Sequence, residues 1–138
     1  VDSDQERIVI AEALSFWVGG VPVQQGSKTV FNGRAVDSNQ KLLRPWRAKV
    51  ADAARAANAG RDPLDGPVLV VLEFRFVRPK SVKRAHPTVK PDLDKLARAV
   101  LDSLTTARVY KDDAQVVSLW PTKVYGAEPG VRVRVGHP

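Results

Sequence analysis

Apolar and polar positions alternate with changing period along this chain. Ile8 to Val18 is apolar enough for a first strand, which ends or bulges at Gly19-Gly20. The polar stretch Pro22 to Arg34 reads as a hairpin-like surface loop. Pro45 stands where a first helical residue often does; Trp46, Val50, Ala53, Ala54 and Ala57 continue as a helical stripe ending before Gly60. Val68 to Val77 has period two and is apolar on both sides at its start, which predicts a central strand. Leu93, Leu96, Ala97, Val100, Leu101 and Leu104 follow i, i+3, i+4, i+7 spacing and predict a helix from Leu93 to about Thr106. Strands over Gln115 to Trp120 and Val131 to Val135 follow, separated by Pro121 to Gly130. This order implies an α+β fold, with two main helices on a mixed or antiparallel sheet, and residues 1–138 are expected to form a single domain.

The second helix is bracketed by carboxylates. Asp92 follows Pro91 at an expected N-cap and Asp94 lies in the first turn, where both could satisfy orphan N–H groups and face the positive end of the helix dipole. Lys111, Asp112 and Asp113 could likewise form only a polar turn before the next strand. Another reading takes the pairs together. If the strand after Asp113 returns beside the helix N-terminus, Asp113 approaches Asp92 and Asp94. Carboxylates gathered in this way repel and raise one another's pKa unless a cation neutralises them. An all-oxygen set suits Mg²⁺ or Mn²⁺, completed by water and phosphate oxygens, and such a site suits phosphodiester hydrolysis.

The residues Asp92-Leu93-Asp94-Lys95-Leu96, then Ala99 to Leu104, then Asp112-Asp113-Ala114-Gln115-Val116-Val117, resemble the RusA family of Holliday junction resolvases in identity and spacing. The resemblance implies a Mg²⁺-dependent endodeoxyribonuclease, acting as a homodimer on four-way DNA junctions, with Asp92, Asp94 and Asp113 as metal ligands. The family's catalytic lysine, four residues after the second aspartate, is replaced by Arg98. Arginine stabilises negative charge but does not readily release a proton, so Arg98 is assigned an electrostatic role, with Lys95 as a substitute for the lysine. Either side chain could instead pair with carboxylates one helical turn away. The family likeness also makes Gln24, Gln25 and Lys28 candidates for DNA backbone contacts.

Charge adds a partner. The net charge is +7, which favours a polyanion. Arg78, Lys80, Lys83, Arg84 and Lys90 lie between Arg78 and Lys90 with no acidic residue, in a proline-containing stretch expected to be a mobile loop. This loop leads into Asp92, so it would guide phosphates toward carboxylates that otherwise repel them. Arg44, Arg47, Lys49 and Arg55 lie on or beside the first helix, where a solvated face is the favoured explanation and a DNA contact the lesser alternative. The absence of cysteine excludes disulfides and thiolate chemistry, and two histidines leave little for a histidine-based zinc site or serine-type triad. No apolar run reaches the length of a membrane span, and the acidic start lacks the basic residues of a secretory signal, so a cytoplasmic protein is expected. Without methionine, Val1 is not expected to be the translation start. Two other readings remain open: a nuclease of the same fold acting on flaps or forks, and a non-catalytic nucleic-acid-binding domain.

Overall fold

A computed structural model describes residues 7–26, 28–31, 33–37 and 39–138, with backbone alone over 28–31 and 34–37. Two helices cover one face of a four-stranded sheet. Its strands are β1 (Ala11–Gly19), β4 (Val68–Phe76), β5 (Val116–Tyr125) and β6 (Gly130–His137), in the order β1-β6-β4-β5. The β1–β6 and β6–β4 pairs are antiparallel, whereas β4 and β5 are parallel, so the sheet is mixed. A hairpin of β2 (Lys28–Phe31) and β3 (Arg34–Asp37) occupies the predicted surface loop. The helices are α1 (Gln40–Asn58) and α2 (Leu93–Thr106).

The central strand β4, between β6 and β5, is buried on both faces, with Leu69 and Val71 on the face away from the helices. Val68, Val70, Leu72 and Phe74 join Val131, Val133 and Val135 of β6 in the core. Trp46, Val50 and Ala54 of α1, and Leu96, Ala97, Val100 and Leu104 of α2, complete that core. The alanines at 51, 54, 97 and 99 are buried and contribute little bulk, so the helices approach closely.

Several boundaries differ from the sequence reading. β1 begins at Ala11 rather than Ile8. The first helix starts at Gln40, so Pro45 lies inside it rather than at its first position. That placement puts Leu43 in the buried stripe with Trp46 and Val50, a packing gain local proline chemistry does not reveal. β5 does not stop at Trp120; it runs through Pro121 to Tyr125. Proline is tolerated because β5 is an edge strand, where one row of backbone groups needs no partner. Before β5, Asp113–Gln115 forms a short 3-10 turn.

Candidate active site

The two aspartates beside the sheet have different tasks. Asp112 accepts a hydrogen bond from the Ala114 N–H at 2.9 Å, while the Gln115 Oε1 accepts from the N–H groups of Lys111 at 2.8 Å and Asp112 at 3.1 Å. This reciprocal cap consumes Asp112 and Gln115 in holding the turn. Gln115 also donates to the carbonyls of Leu64 at 2.9 Å and Gly66 at 3.1 Å. Just upstream, the buried Tyr110 hydroxyl donates to the Leu101 carbonyl at 3.0 Å, tying the turn to α2. Burial pushes the Tyr110 phenol well above its ordinary pKa, so it remains a proton donor in that bond.

Asp113 is left on the surface of this fixed turn. It lines an open cavity of about 420 Å³ with Asp94, Arg98, Leu101, Leu119 and Pro121. Its pKa is raised, first by the hydrogen bond shared with Asp112 and then by slight desolvation and the charges of Asp112 and Asp102; the Arg98 guanidinium opposes the rise. Asp112 moves the other way, held low by the Ala114 N–H and by Asp113. A proton shared between the pair therefore resides preferentially on Asp113.

At the N-terminus of α2, Asp92 occupies the expected N-cap position, with extended backbone, but makes no side-chain capping bond. Its carboxylate is instead 3.6 Å from the Lys95 ammonium. The N–H of Asp92 donates to Gln24 Oε1 at 2.7 Å, and the Gln25 N–H donates to the Lys95 carbonyl at 3.0 Å. Gln24 and Gln25, singled out in the sequence for DNA backbone contact, thus clasp the helix start. Beneath it, Lys123 of β5 donates to the carbonyls of Val89 at 2.8 Å and Pro91 at 2.9 Å. The Lys90–Pro91 peptide between them is cis. Sequence reasoning passed over Lys123 because its partners are backbone atoms more than thirty residues away, at a register set only by the β4–β5 pairing.

The sequence-predicted residues are only partly brought together. Asp94, Asp113 and Arg98 share the cavity; Asp92 lines an adjoining groove of about 570 Å³ with His86, Thr88, Lys90 and Lys123. Among the described residues, no three side chains of the metal-binding types gather as a ready-made site. Of the three expected carboxylates, Asp94 and Asp113 share one cavity and Asp92 lines the adjoining groove. Asp94 and Asp113 still offer the one or two carboxylates by which Mg²⁺ is commonly held when substrate phosphate supplies further oxygens.

The loop from Arg78 to Lys90 presents Arg78, Lys80, Lys83, Arg84 and Lys90 to solvent. Contacts hold this loop at both ends. The Arg78 guanidinium stacks 5.1 Å from the centre of the Tyr125 ring, and Lys123 grips Val89 and Pro91. The groove reaching Asp92 includes Lys90 and begins at His86, so the loop does lead into the helix start. Lys28 lies in β2, and its side chain is outside the described part. Among the described residues, no helix is long and apolar enough to cross a membrane.

Comparison with known proteins agrees with this arrangement. The family model described as "Endodeoxyribonuclease RusA" matches residues 20–136, a span that contains the capped Asp112 turn, α2 and the clasp around Asp92. The chain is also similar to the uncharacterized protein YqaN of Bacillus subtilis (strain 168), at 31% identity over 141 residues, covering 90% of this chain and 96% of the relative. With both helices, β4, β5 and nearly all of β6 inside the matched span, this chain belongs to the RusA endodeoxyribonuclease family.

Proposed function

We propose that this chain is a Mg²⁺-dependent, structure-specific endonuclease of the cytoplasm that resolves four-way DNA junctions by paired nicks, working as a homodimer of one-domain subunits. The observation that carries this reading is the division of labour at the Asp112-Asp113 pair. Asp112 is used by the turn, while Asp113 remains on an open cavity shared with Asp94 and Arg98. A purely structural acidic turn has no need of a second carboxylate facing a guanidinium and another carboxylate across a cavity.

Asp94 and Asp113, joined by Asp92 when DNA is bound, would hold the Mg²⁺ ion. When bound, that ion supplies Lewis-acid stabilisation and a nucleophilic water for phosphodiester hydrolysis. Arg98 steadies negative charge developing on the phosphate, with a planar fork of donors that stays protonated. Lys95, 3.6 Å from Asp92, holds that carboxylate at the helix start and stands as the second cationic group of the site. Lys80, Lys83, Arg84 and Lys90 bind the DNA backbone, which positions the substrate without specifying sequence. Arg78, stacked on Tyr125, anchors the loop's first end and presents its outer N–H groups to the same backbone. A twofold dimer would offer two sites to the two equivalent strands of a junction.

The test is cleavage of a labelled mobile four-way junction with and without Mg²⁺, beside flaps and forks at equal salt. Preferential, metal-dependent junction cutting supports the proposal. Equal cutting of flaps and forks would replace the substrate, and binding without cutting would replace the enzyme by a binding domain.

A further inference from the structure

The arginines of α1 remain outside the site described so far. Arg44, Arg47 and Arg55 line an open groove of about 380 Å³ between α1 and α2, whose floor includes Leu43 and Ala51. Their only acidic companion in that lining is Asp52. Asp52 pairs with Arg55 at 2.9 Å, and Asp102 of α2 gives Arg47 one long contact of 3.6 Å. Among the described residues, Arg44 makes no ion pair. Three guanidiniums along one helix repel one another, and the groove therefore retains positive charge that its own carboxylates do not balance.

The position of this charge matters. Asp102 lies one helical turn beyond Arg98 on α2, and both residues act electrostatically on Asp113. Asp102 therefore stands between the groove, through its contact with Arg47, and the surroundings of Asp113. The basic loop reaches the opposite end of α2, at Asp92. The carboxylate cavity is thus flanked by cationic surface on two sides. From Arg44 to Arg55 the stripe extends roughly 16 Å at the usual helical rise, enough for about four phosphates of one strand at an axial spacing of roughly 3.4 Å. Guanidinium forks match phosphate oxygens in shape as well as charge.

We infer that the α1–α2 groove is a second phosphate-binding site, which holds the DNA strand on the side of the cavity away from the basic loop. Arg44 and Arg47 make the contacts, and Arg55 extends them. This inference rests on the proposal that the chain acts on DNA. It adds a second grip, so that the backbone is held on both flanks of the phosphate presented to Asp94 and Asp113.

The test is binding of a labelled four-way junction to the full chain, by fluorescence anisotropy without Mg²⁺, over a range of salt. The wild type is compared with Arg44→Gln/Arg47→Gln, Arg44→Lys/Arg47→Lys and Lys83→Gln/Arg84→Gln, each checked for an unchanged melting temperature. Loss of two phosphate contacts lowers the log–log salt slope by about 2 and weakens binding roughly ten- to sixtyfold near 0.1 M salt. The lysine pair restores the slope. If wild type and the loop variant behave as DNA binders should while Arg44→Gln/Arg47→Gln keeps the wild-type slope, the second site is wrong and the proposed function stands. If wild type binds no DNA at any salt, both fall together.

Discussion

The Lys123 ammonium donates to the Pro91 carbonyl at 2.9 Å, so that β5 grips the residue immediately before Asp92. With its second bond to Val89, Lys123 fixes the junction between the basic loop and α2. Hydrogen bonds from a charged donor contribute about 1.5–3 kcal/mol each when well formed, and partial exposure here places the pair toward the lower end. Lys123→Met should lower stability in urea melts by about 1–2 kcal/mol. It should reduce junction cleavage at saturating DNA by a larger factor than that stability loss explains, whereas Lys123→Arg should recover much of the rate. Equal cleavage by the methionine variant would show that the clasp does not set the site.

The Asp112-Asp113 pair makes a prediction about protons. Asp113 is raised above the ordinary value of 3.8, and Asp112 is lowered below it. For Asp113 the folded state holds the proton more tightly than the unfolded chain; its favourable contribution is present at low pH and lost as pH rises through the raised folded value. For Asp112 the sign reverses: its contribution is present above the ordinary carboxylate value and lost as pH falls through the depressed one. Both changes fall in the acidic range and pull the pH dependence of stability in opposite directions. Carboxyl NMR titration of the metal-free protein should show the split directly. Asp112→Asn should bring Asp113 down toward its ordinary value, with Arg98 still favouring the ionised form. A midpoint for Asp113 unmoved by that substitution would remove Asp112 as the cause.

Capping and chemistry should separate in variants of the same pair. Asp112→Ala removes the acceptor for Ala114 and should lower the melting temperature. Asp113→Asn leaves the cap intact and should melt like wild type while losing cleavage. Reversed effects would mean that the tasks are exchanged.

Arg98 tests the departure from the family's lysine. Arg98→Ala should reduce cleavage by about a hundredfold or more if the guanidinium stabilises developing charge. Arg98→Lys, which restores both charge and the family's residue, should stay within about tenfold of wild type. Equal losses in both variants would assign Arg98 a geometric role that only the guanidinium fork can fill.

The bounds of α2 were legible because its apolar spacing, flanking Pro91 and carboxylates all agree on one element. The central position of β4 was legible from its unbroken apolar start. The extent of α1 was not, because Pro45 is a strong local signal for a helix start whereas burial of Leu43 beside α2 is a tertiary effect. The passage of β5 through Pro121 was hidden for a similar reason, since edge position is a property of the assembled sheet. At the site, the motif supplied Asp94, Arg98 and Asp113 but could not distinguish Asp112 as a cap. It also gave no sign that Asp92 would stand in a neighbouring groove, or that Gln24 and Lys123 would hold its backbone.

The most direct measurement is a single-turnover assay of a labelled mobile four-way junction with Mg²⁺, comparing wild type with Asp94→Asn and Asp113→Asn. Paired symmetrical nicks by wild type, absent without Mg²⁺ and lost in both variants despite retained junction binding, are the predicted result. Cleavage that persists in both variants, or that needs no divalent metal, would contradict the assignment of the Asp94–Asp113 cavity as the catalytic site.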